Sequence, residues 1–104
     1  MTLQRRVGVW HGSRFPQAAP EAILAKLLEE TGELARAVIG RIERREGRGD
    51  VGKEAGQTVL VILALIARYF PEVDVMGEVE LELSRQSEPT LFDAPYEFGD
   101  ATDG

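Results

Sequence analysis

The sequence predicts an all-α protein, an antiparallel helical bundle completed by oligomerisation. Three observations carry that prediction. Apolar residues recur at three- and four-residue spacings over long windows, clusters of glycine and proline fall between those windows, and the single segment with strand-like alternation has no second strand to pair with.

Leu3 to Trp10 reads as a short helix, ended by the run Gly12-Ser13-Arg14-Phe15-Pro16. From Pro20, a residue suited to a first helical turn, Leu24, Leu27, Leu28, Thr31, Leu34, Ala35, Val38 and Ile42 follow a helical spacing. That pattern predicts a helix to about Arg45, roughly 39 Å long at the helical rise. Glu46-Gly47-Arg48-Gly49-Asp50 breaks it, and Asp50 offers a capping carboxylate to the next helix. Val51 to Tyr69 forms that helix, stopped by Pro71 and apolar on every side through its middle. One partner helix covers one stripe, so such a helix requires contacts both within its own chain and with another subunit, as a homodimer or homotetramer.

Asp74 to Arg85 alternates in part, yet its Met, Glu and Leu residues favour a helix. Residues 1–86 therefore read as one helical domain. Residues 87–104 form an acidic, partly apolar tail with Pro89 and Pro95, either mobile or laid as a strap over a neighbour.

The 104 residues carry a net charge of −6 and no cysteine. A single small domain follows, while a disulfide scaffold, a thiolate zinc site and thiol catalysis are excluded. Acidic residues outnumber lysine plus arginine 18 to 12, which argues against nucleic acid as a partner. The longest apolar run, Val59 to Ala67, is about half of the ~20 residues a membrane span needs. Met1 to Trp10 lacks the apolar run of a signal peptide, so a cytoplasmic protein is expected.

The chemistry concentrates in glutamates. Glu29, Glu30 and Glu33 crowd one arc of the first long helix, with no basic residue four positions beyond Glu29 or Glu30. Lys26 offers partial relief. A hard divalent cation, Mg²⁺ or Mn²⁺, turns such repulsion into a binding site, because it prefers oxygen ligands and accepts substrate phosphates beside them. Glu54 and Gln57 open the second long helix. In an ideal straight hairpin their level matches that of Glu33 imperfectly, so the helix ends or a neighbouring chain must make up the difference.

The run from Lys26 to Ala35 resembles the E-E-x-x-E element of the MazG-like all-α nucleotide pyrophosphohydrolases, and Glu54 to Gln57 stands where their E-x-x-D element belongs. The resemblance covers about Leu3 to Arg85. It implies a helical oligomer that hydrolyses nucleoside triphosphates to monophosphate and pyrophosphate with Mg²⁺. It further implies that Glu30, Glu33, Glu54 and Gln57 hold the metal, and that Glu29 orients or deprotonates the attacking water. Trp10 and His11 match a segment that would meet the base. Lys26 and Lys53 are candidate phosphate contacts, with Arg45 and Arg48 near the turn.

Position 57 departs from the pattern, with Gln in place of Asp. The amide still offers a neutral carbonyl oxygen, but the site loses one negative charge. Two further readings follow. The chain is a catalytically weakened nucleotide-binding or regulatory protein, or a purely structural helical bundle whose glutamates form a solvated stripe.

Overall fold

The computed structural model describes residues 1–47 and 49–85, and among them there are four helices and no strand. Contacts divide the chain after Val73, giving one unit of Met1–Val73 and a second that begins at Asp74.

The first unit holds α1 (Leu3–Arg14), α2 (Pro20–Ile42) and α3 (Val51–Tyr69), with α3 packed against both of the others. Thr2 caps α1 by accepting the Arg5 N–H at 3.1 Å. The helix runs four residues past Trp10, where the sequence pattern had placed its end. Gly12 does not break it, and the side chain of Arg68 lies alongside, 3.5 Å from where a Cβ would stand. The stop comes instead at Phe15, whose N–H still bonds His11 O at 2.7 Å while its backbone leaves the helical region, at φ −130° and ψ 63°, ahead of Pro16.

Helix α2 ends at Ile42 rather than Arg45, because Arg44 adopts a left-handed φ of 56°. Its inward line is Ile23, Glu30, Ala37 and Gly40. Leu24, Leu28, Val38 and Ile42, which share the helical spacing, lie on a different face and remain exposed, Leu28 at 70% and Ile42 at 73%. The apolar pattern of α2 thus comprises two stripes, and the described residues cover one of them.

Helix α3 starts and stops where expected. Asp50 accepts the Lys53 N–H at 3.1 Å, and the chain leaves the helix at Phe70, before Pro71. Its C-terminal end fastens the linker between α1 and α2. Tyr69 donates its hydroxyl to Ala18 O, and Arg68 donates to Phe15 O at 3.1 Å and Pro16 O at 3.4 Å. Helices α1 and α3 approach closely at Gly8, where an added Cβ would stand 2.7 Å from that of Ala67. Val7, Ile23, Ala37, Leu63 and Ala64 are the buried hydrophobic residues of this thin core.

The mismatch of levels between Glu33 and Glu54 is resolved within the chain. Helix α2 overshoots Glu33 by nine residues, about 13 Å, whereas α3 begins only three residues before Glu54. The connection runs back along α2, so that a Cβ at Gly49 would lie 3.7 Å from that of Ala37. Gly47 and Gly49, at φ of 66° and 85°, supply the left-handed turns that this return needs.

The second unit contains α4 (Val75–Ser84), capped by Asp74, which accepts the Gly77 N–H at 3.2 Å. The proposed tail, residues 87–104, and Arg48 lie outside the described residues. Among the described residues no helix is long and apolar enough to cross a membrane.

Candidate functional site

The inward face of α2 and the first turns of α3 bring the predicted glutamates together. Glu29, Glu30 and Glu33 each place a carboxylate oxygen within 4.8 Å of the others. Glu30 is 5% exposed, unusual for a charged residue, and its neighbours explain how it is held. Lys26 Nζ lies 3.3 Å from Glu30 Oε1 and 3.2 Å from Glu29 Oε1. Hydrogen bonds to Glu29 and then Glu30 push the Lys26 ammonium above its usual range.

Across the helix interface, Glu54 meets Glu33. The Glu33 carboxyl is pushed up, first by the charge of Glu30, then by burial, Glu54, Glu29 and a hydrogen bond with Glu54. Gln57 completes the group. With its amide nitrogen inward it donates to Glu30 Oε2 at 3.2 Å and Glu54 Oε2 at 3.3 Å. With its carbonyl inward it adds an oxygen to a set already composed of carboxylate oxygens.

A donor set of carboxylates plus one amide oxygen suits a hard cation and offers no nitrogen or sulfur to zinc or copper. Glu29, Glu30, Glu33, Glu54 and Gln57 therefore fit an ion such as Mg²⁺ in ligand type, and the crowding recorded at Glu33 is the repulsion that such an ion would relieve.

A cavity of about 510 Å³ opens beside the cluster. Lys26, Glu30 and Gln57 line one part of it, and Trp10, His11 and Phe15 another. The three rings form a group, with Trp10 edge-on to His11 at 5.9 Å and to Phe15 at 6.1 Å, and His11 tilted against Phe15 at 5.1 Å. Trp10 is 47% exposed, so the one tryptophan of the chain is a wall of this cavity rather than part of the core. His11 Nδ1 lies 2.9 Å from Arg68 Nη1. Burial and then the charge of Arg68 lower the basicity of the imidazole.

Two predicted phosphate contacts stand elsewhere. Lys53 is exposed in the first turn of α3 and does not line the cavity, and Arg45 pairs with Glu43. Sequence reasoning missed Arg68 and Thr58. Thr58 is a polar residue in an apolar run, which is a signal; Arg68, at a helix end 57 residues from His11, gave none. Compared with known families, curated proteins and solved structures, the chain finds no match in any of the three.

Proposed function

We propose that the chain is a Mg²⁺-dependent nucleoside triphosphate pyrophosphohydrolase with a MazG-like arrangement of helices. One observation carries this reading: a five-residue oxygen-donor cluster borders a cavity whose other part is lined by aromatic rings. A cation held there would neutralise phosphate charge and polarise the phosphoryl group. Lys26, shared between Glu29 and Glu30 at the cavity edge, offers an ammonium to phosphate oxygens. Glu29, the exposed carboxylate of the α2 group, takes a proton from water as the water oxygen bonds to the α-phosphorus. The bond from that phosphorus to the bridging oxygen breaks, and pyrophosphate leaves. Trp10 and Phe15 give the base a stacking surface. The exposed row of Leu24, Leu28, Val38 and Ile42 favours assembly as a homodimer or homotetramer.

Gln57 supports a second reading, a nucleotide-binding protein with weakened turnover, because its amide can hold Glu30 and Glu54 together without a cation. The test is incubation with Mg²⁺ and a panel of ribo- and deoxyribonucleoside triphosphates, with Glu30→Gln as control. Release of monophosphate and pyrophosphate that the control lacks supports the hydrolase. Nucleotide binding without release supports the second reading, and neither binding nor release leaves a structural bundle.

A further inference from the structure

We infer that His11 is the specificity-determining residue of the cavity: Arg68 holds its imidazole as the Nε2–H tautomer, and that N–H selects a base carrying a keto oxygen on the edge farthest from its sugar. This rests on the nucleotide reading above.

The tautomer follows from donor and acceptor chemistry. A guanidinium has five N–H donors and no acceptor, so at 2.9 Å from Arg68 Nη1 the Nδ1 of His11 must accept. A neutral imidazole that accepts at Nδ1 carries its proton on Nε2. Neutrality is favoured by partial burial and by the adjacent positive charge. Arg68 cannot swing away freely, because it also donates to the backbone oxygens of Phe15 and Pro16. The ring of His11 is thus a donor held in place among the residues that line the cavity, with the Trp10 and Phe15 rings beside it.

The ligand's direction follows from α3. Gln57, Val61, Ala64 and Arg68 succeed one another on one face of that helix, the first three lining the cavity and the last holding His11. Eleven residues separate Gln57 from Arg68, about 16 Å along the helix. A phosphate chain at Lys26 and Glu30 therefore sends sugar and base toward His11, and the base arrives with the edge opposite its sugar leading. That edge carries an oxygen in uracil, thymine, guanine and hypoxanthine, and an amino group in cytosine and adenine. A keto oxygen accepts from Nε2–H. An amino group sets donor against donor and leaves both unsatisfied, which corresponds to about a tenfold loss of affinity at a half-exposed site.

The experiment uses the full chain with Mg²⁺ and the α,β-methylene analogues of dUTP, dCTP, dITP and dATP. Affinity is read by calorimetry and cavity occupancy by the emission of Trp10, the single tryptophan. The single histidine also allows its ring nitrogens to be read by NMR without assignment. The expected results are an unprotonated Nδ1 in the free protein, a mixture of tautomers in Arg68→Met, and about tenfold tighter binding of dUTP over dCTP and of dITP over dATP analogues. His11→Phe brings each pair within about twofold. Analogues that bind without keto preference, a preference that survives His11→Phe, or a proton found on Nδ1 overturns the inference and leaves the nucleotide reading standing. Failure of every analogue to bind overturns both.

Discussion

The hydroxyl of Thr58 on α3 donates to Glu54 O on its own helix at 2.8 Å and shares that proton with the backbone oxygen of Glu30 on α2, 3.3 Å away. One buried side chain thus ties together the two residues whose carboxylates must meet, and sets the register of α2 against α3 at the level of the cluster. The bond matters most where it is, because a slip of one residue would move Gln57 away from Glu30.

Thr58→Val keeps the shape and removes both contacts. Expected is a loss of about 1 kcal/mol in stability, the worth of an ordinary hydrogen bond whose partner carbonyls remain within helices. Mg²⁺-induced stabilisation should weaken as well, since it depends on the register. Chemical denaturation with and without Mg²⁺ checks both, and unchanged Mg²⁺ dependence would assign Thr58 to stability alone.

Glu33 should make the stability of the ion-free protein depend on pH. Its carboxyl binds a proton more readily in the folded state than in the unfolded chain, so the folded state is favoured by protonation. The stability from this group is fully present below the ordinary glutamate range and is lost as pH rises through the raised value. Glu33→Gln removes the titrating group and the repulsion from Glu30, so it should flatten this dependence and stabilise the ion-free protein at neutral pH. Thermal melts from about pH 4 upward, in chelator, measure the difference between the two proteins. A bound cation competes with that proton, so Mg²⁺ should stabilise the wild type more strongly as pH rises.

The close approach of α1 to α3 gives a separate test. Gly8→Ala gains up to about 1 kcal/mol in helix propensity but places a Cβ 2.7 Å from that of Ala67, so the helices must part. A net loss of about 1–2 kcal/mol is expected. Because Trp10 and His11 follow on the same helix, the emission of Trp10 should shift too. Adding Ala67→Gly reopens the space, and the double variant should lose less than the single-variant losses combined, the mark of a direct contact in a double-mutant cycle.

What was legible in the sequence is what local chemistry decides. Asp50 and Pro71 bracket α3, and its bounds follow from a capping carboxylate and a helix stop that act within a few residues. The glutamate cluster was legible for the same reason, since spacing along a helix fixes which carboxylates share an arc. The extension of α1 through Gly12 was not, because glycine is a poor helix former and local propensity places a stop there. Nor was the return of the connection along α2, which rests on the placing of Gly49 beside Ala37 and settles the levels of Glu33 and Glu54. The His11 to Arg68 pair spans 57 residues and exists only once α1 and α3 have packed. Periodicity likewise could not say which of two apolar stripes on α2 turns inward; Glu30, a charged residue, lies on the buried one.

Gln57 offers a test of whether the cluster takes a cation. With its amide nitrogen inward it donates to Glu30 and Glu54, which lowers the cost of bringing those carboxylates together in the ion-free protein. Gln57→Asp takes away that donor and adds a fifth carboxylate to Glu29, Glu30, Glu33 and Glu54. Two opposite effects are expected. Without a divalent ion the variant should melt below the wild type, because a buried carboxylate at Glu30 loses a donor and gains a repelling neighbour. With Mg²⁺ its melting temperature should rise further than that of the wild type, because stabilisation by a ligand grows with affinity and another anionic oxygen tightens the hold on a dication. Hydrolysis then separates the two functional readings. A higher rate of pyrophosphate release in Gln57→Asp means that the natural residue has moved the protein from turnover toward binding, whereas a lower rate means that the amide is adapted to a substrate of its own. Equal melting of the two proteins in chelator and in Mg²⁺ would refute the placement of Gln57 in the cluster.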